Sequence, residues 1–168
     1  PDLVETIANQ NLHAADLSEM IIVSNSDLLS EATELAEFHR SIDGMTVQVV
    51  TPDDIYNEFS GGLPDPSGFR NYFRMCYDLG KQSGKNTLKY ILLFGDGSYD
   101  NRNILGKNNN LLPTYQSDNS LSPTESFVTD DFFVFLDENE GGSQGFFDLG
   151  ICCISDNNGD GGLYVIAY

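Results

Sequence analysis

Gly95-Asp96-Gly97-Ser98 sets a carboxylate between two glycines, directly after the apolar run Tyr90-Ile91-Leu92-Leu93-Phe94. In an open α/β sheet, ligands gather where strands end and loops leave the carboxyl edge, so Asp96 is a candidate substrate-contacting acid. The plainer role, an Asx cap on a turn whose glycines take positive φ, fits the same residues. Asp130-Asp131 is a second candidate pair, because it interrupts the apolar stretch that runs from Phe127 to Leu136. Charge placed in such a run needs a partner, a cation or a bound group. A third set, Asp156, Asn158 and Asp160 in Asp156-Asn157-Asn158-Gly159-Asp160-Gly161, repeats the first half of an EF-hand loop, with oxygen ligands at alternate positions and glycine sixth. The twelfth position is Ala167 rather than Glu, which leaves a looser calcium turn or a solvated loop.

Nucleophiles are less promising. Ser98 follows a sharp acid-glycine turn of the kind that presents a serine in some esterases, but serine attack needs a histidine base. The chain has only His13 and His39, both upstream, and His39 falls in the last turn of a predicted helix. Cys76 lies on the apolar face of a predicted helix, and Cys152-Cys153 lies within a predicted strand, so buried inert thiols are expected. No catalytic residue is assigned. A nucleotide-binding reading fails too, since Gly61-Gly62 has neither a lysine nor a preceding strand.

Charge narrows the partners. Of 168 residues, 8 are Lys or Arg against 26 Asp or Glu, a net charge of −18. Phosphate backbones and anionic membranes are bound through clustered cations, so neither suits this chain. With 40% hydrophobic residues, including 11 Phe and 8 Tyr, there is ample material for a core. No apolar run is long enough for a membrane span, the first residues lack the basic-then-apolar pattern of a signal peptide, and three cysteines do not make a disulfide scaffold. Pro1 in place of an initiator Met is expected of a processed or excised piece.

The elements that must position these acids alternate. Met20-Ile21-Ile22-Val23 reads as a buried parallel strand and residues 27–40 as an amphipathic helix. Asp43-Gly44 turns the chain into a strand over 45–50, and Pro52-Asp53-Asp54 starts a short helix. Phe69, Tyr72, Phe73, Cys76 and Tyr77 repeat at i, i+3, i+4, i+7 and i+8, giving a helix that Gly80 and Gly84 should end. Residues 88–94 make the clearest strand. The order β-α-β-α-β predicts a parallel sheet covered on both faces. Residues 96–122 form a long polar loop, 126–136 a strand or hairpin arm, and 146–154 a last strand.

Several stretches together resemble the gingipain-type cysteine peptidase domain: residues 16–24 (DLSEMIIVS), 35–44 (LAEFHRSIDG), 47–59 (VQVVTPDDIYNEF), 69–78 (FRNYFRMCYD), 88–102 (LKYILLFGDGSYDNR), 112–117 (LPTYQS) and 128–136 (VTDDFFVFL). Within that family the chain is most similar to the sortase-like branch of the type IX secretion system of Bacteroidetes, over roughly 11–151. The resemblance implies a three-layer α/β sandwich with a mainly parallel sheet, one caspase-like subdomain of two, over 16–154. Residues 1–15 would be a linker and 155–168 a divergent or truncated tail. It also implies that the catalytic His and Cys belong to a second subdomain of the parent chain, while this one shapes the cleft for a protein or peptide substrate. Thr129-Asp130 matches the Ser/Thr-Asp motif whose acid, in arginine-specific members, meets the basic residue before the cut bond. Removal of C-terminal sorting signals and a place at the outer membrane or cell surface follow from the same resemblance. Past Ile151 the family usually continues Gly-Arg, an apolar residue and Pro, whereas this chain has Cys152-Cys153-Ile154-Ser155 and an Asn/Gly/Asp-rich tail. The competing expectation is a stand-alone, acidic, calcium-stabilised binding module without catalytic activity.

Overall fold

The computed structural model describes residues 9–85, 88–98, 100, 104–106, 110–119, 121–122, 124–137, 140 and 149–154. Its centre is a parallel sheet of β1 (Met20–Ser24), β2 (Val47–Val50), β3 (Tyr90–Phe94) and β6 (Gly150–Ile154), in the order β2-β1-β3-β6. Two further short strands, β4 (Tyr115–Gln116) and β5 (Val128–Thr129), form an antiparallel pair outside it. The helices are α1 (Leu29–Ile42), α2 (Pro52–Phe59) and α3 (Pro66–Ser83).

Alternation along the strands sorts side chains between two layers. Ile21 and Val23 of β1, with Ile91 and Leu93 of β3, pack with Ile55 of α2 and Phe69 and Phe73 of α3. Met20, Ile22 and Leu92 point the other way and meet Ala32 and Ala36 of α1. Burial on both faces is why β1 reads as an unbroken apolar run, and the result is the expected three-layer sandwich.

Caps fix where the helices begin. Thr51 and Asp54 form a capping box, with Asp54 N–H donating to Thr51 Oγ1 at 3.3 Å and Thr51 N–H donating to Asp54 Oδ2 at 3.1 Å; Pro52 follows at the first helical position. Asp65 accepts from Ser67 N–H at 2.8 Å, again just before a proline. The predicted stop at Gly80 is overturned: α3 runs on to Ser83 with Gly80 buried, and Gly84, at φ 61°, ends it. A helical glycine is penalised by only about 1 kcal/mol, which packing overrides.

The apolar stretch over 126–136 also departs from a simple strand. Only Val128–Thr129 pairs, and Asp131–Phe133 then winds into a 3₁₀ turn. Thr129 Oγ1 accepts from Asp131 N–H at 3.1 Å, turning the chain so that Phe132, Phe133 and Val134 enter the α3-side core.

The part of the amino-terminal segment that is described packs on α2. Leu12 N–H donates to both oxygens of Glu58, at 2.8 and 3.0 Å, and the His13 ring stacks on Phe59 with centroids 4.7 Å apart.

Candidate functional site

The chain passes from β1 to β2 on one side and from β3 to β6 on the other, so the strand order reverses between β1 and β3. The carboxyl ends of those two strands, Ser24 and Phe94, flank the position where open α/β sheets hold ligands. Ser24 is fully buried there and donates to Asn25 O at 3.1 Å. Asp96 stands just past β3. Its carbonyl accepts from Leu111 and Leu112 N–H at 2.9 and 3.0 Å, so its backbone ties the returning strap to the sheet. Among the described residues its carboxylate has no hydrogen-bond partner.

Close approach of that strap explains Gly97. A Cβ at this position would fall 2.4 Å from Thr114 Cγ2, and Gly97 bridges Leu112. Thr114 Oγ1 donates to Ser98 O at 3.1 Å, and Asn110 Oδ1 accepts from Ser98 N–H at 2.8 Å. The strap leads directly to β4, where Tyr115 pairs with Thr129 of β5.

Asp130 and Asp131 follow at once, both half-buried, on a turn closed by hydrogen bonds from Phe133 N–H to Asp130 O and from Val134 N–H to Asp131 O, each 3.0 Å. Beneath the turn lies an aromatic pedestal: Phe133 is fully buried, with its ring 5.9 Å from Phe69 and 6.4 Å from Phe73. Asp96 makes no hydrogen bond to either acid, so the three carboxylates sit on two connected loops rather than in one cluster. In a chain of net charge −18, these two adjacent acids add to a strongly negative field.

The groups with nucleophilic or basic character lie elsewhere. His13 Nδ1 is 2.7 Å from Glu58 Oε2, and His39 Nδ1 is 2.7 Å from Asp43 Oδ2 at the end of α1. Burial pushes the Cys76 thiol up to about 11, which keeps it protonated and unreactive at neutral pH. The calcium candidates Asp156, Asn158 and Asp160 lie outside the described residues. Among the described residues, no three His, Cys, Asp or Glu side chains gather in a way that would hold a metal. A cavity of about 630 Å³ opens at the opposite, amino-terminal edge of the sheet, beside Asp16, Arg40, Thr46 and Lys85. Also among the described residues, no helix is long and apolar enough to cross a membrane.

One residue of the site escaped sequence reasoning. Arg70 of α3 donates from Nε to Phe135 O at 2.7 Å and from Nη2 to Glu140 O at 2.8 Å, and its guanidinium lies 5.7 Å above the Phe132 ring. The available signal was weak: a rare cation, one of 8 Lys and Arg, placed next to the aromatic stripe of α3.

The sequence pattern of Peptidase family C25 matches residues 13–159, somewhat past the stretch quoted above. Among solved structures, the chain is similar to dimeric latent PorU from Porphyromonas gingivalis, known from a crystal structure, with a TM-score of 0.79 and 32% identity. The match covers 93% of this chain but 16% of that one, so the chain spans about a sixth of that relative's length. No curated protein matches at a significant level.

Proposed function

The chain belongs to peptidase family C25, and we propose that it acts as the substrate-recognition subdomain of a larger gingipain-type cysteine endopeptidase, whose catalytic His and Cys lie outside these 168 residues. The observation that carries this reading is the Asp130-Asp131 turn: two adjacent acids at the end of β5, on an aromatic pedestal, in a strongly acidic chain. Thr129-Asp130 is also where the family resemblance puts the acid that meets a basic residue before the cut bond. In this role Asp130 accepts hydrogen bonds from the guanidinium or ammonium of that residue, and Asp131 adds to the local field. Asp96, at the switch point between β1 and β3, contacts the substrate on the neighbouring loop. The wider setting we propose is type IX secretion, with C-terminal sorting signals as substrates and the outer membrane or cell surface as location; it rests on the family resemblance alone.

The test is Asp130→Asn in the full natural protein, assayed on peptide pairs that differ only in having Arg or Gln before the cut bond. A hydrogen bond to a charged group is worth about 1.5–3 kcal/mol, so kcat/KM on the Arg peptide should fall roughly tenfold to hundredfold while the Gln peptide is nearly unaffected. An equal change on both peptides, or none on either, contradicts the assignment.

A further inference from the structure

Resting on that recognition reading, we infer that Arg70 is a positioning residue for the recognition turn: reaching from α3, it fastens the chain that leaves Asp130 and Asp131 and so fixes where the two carboxylates stand. Its fork grips two carbonyls of that outgoing chain, Phe135 O at 2.7 Å and Glu140 O at 2.8 Å, while its central carbon lies over Phe132, 5.7 Å from the ring centroid. Phe69, the residue before it on α3, holds Phe133 by ring contact, so one turn of helix grasps the loop through both apolar and polar contacts. A planar guanidinium suits this task because it spans two acceptors in fixed geometry and stacks on a ring at the same time, which an ammonium does not. Among the described residues Arg70 makes no hydrogen bond to Asp130 or Asp131.

The experiment compares Arg70→Lys and Arg70→Gln with Asp130→Asn in the full natural protein, reading amide hydrogen exchange over 131–136 together with kcat and KM on the Arg and Gln peptides. The expected result is faster exchange across the turn in both Arg70 variants and a KM for the Arg peptide raised about tenfold, with kcat within about twofold and the Gln peptide unmoved. Arg70→Lys keeps the charge and much of the packing, so it reports even if Arg70→Gln fails to fold. Wild-type exchange rates in Arg70→Lys, or an equal KM change on both peptides, overturns the inference. If Asp130→Asn leaves both peptides unchanged, it is the recognition reading that falls, and the exchange data still decide separately whether Arg70 holds the turn.

Discussion

Tyr115 lies nearly face to face with Phe132, their ring centroids 4.4 Å apart and their planes 13° from parallel. Tyr115 also pairs with Thr129 across the β4/β5 ladder. One residue thus braces the Asp130-Asp131 turn on both sides, at Thr129 before the two acids and at Phe132 after them. Stacked aromatic pairs contribute about 0.5–1.5 kcal/mol beyond the area they bury. In a double-mutant cycle of Tyr115→Leu and Phe132→Leu, read by urea unfolding, the coupling energy should be about 1 kcal/mol. Additive single effects would mean that the stack is incidental.

Gly97 and Thr114 make a second close contact, because a Cβ on Gly97 would lie 2.4 Å from Thr114 Cγ2. Gly97→Ala should cost about 1–3 kcal/mol, the usual range for overpacking. Adding Thr114→Ser removes the obstructing methyl yet keeps the hydroxyl that donates to Ser98 O, so most of the loss should be recovered. Thermal unfolding of the two variants checks this; no rescue by the second change would contradict it.

Glu58 predicts an acid-sensitive clamp. Burial works to raise its carboxyl, but the hydrogen bonds from Leu12, His13 and Gln10 outweigh burial and hold it below the usual carboxylate range. A group depressed in the folded state gives its stability above the unfolded pKa and loses it as pH falls through the folded one. Glu58→Gln should therefore destabilise the chain at pH 7 by about 1–3 kcal/mol and flatten the acid limb of its stability profile. The gap between wild type and variant should narrow as pH falls below the ordinary carboxylate range, as urea midpoints across pH will report. A gap that stays constant as the pH is lowered would rule out the clamp.

How much of this was legible in the sequence follows from the range of each interaction. β1 and β3 stand out as unbroken apolar runs because both of their faces are covered, and the α3 stripe because five apolar residues share one face. Asp130-Asp131 was visible because charge interrupting an apolar run is costly without a reason. The same run misled on shape: residues 126–136 have no alternation to separate a strand from a buried turn, and the 3₁₀ turn at Asp131–Phe133 joins two backbone hydrogen bonds to a Thr129 hydroxyl bond that no apolar pattern announces. Arg70 and the Gly97–Thr114 contact stayed hidden for another reason. Arg70 meets Phe135 across 65 positions of chain, and no local pattern encodes such a pairing.

The most direct test of the central claim, that this chain recognises substrate and does not perform the chemistry, is the peptidase activity of the full natural protein after replacement of every histidine and cysteine in this stretch. His13, His39, Cys76, Cys152 and Cys153 are exchanged one at a time for Ala, with folding checked by circular dichroism. Each folded variant should cleave with kcat within about twofold of wild type, since none of the five groups would touch the reacting bond. A folded variant whose kcat falls a thousandfold or more, the scale on which losing a catalytic base or nucleophile registers, would place the active site within this chain and contradict the account.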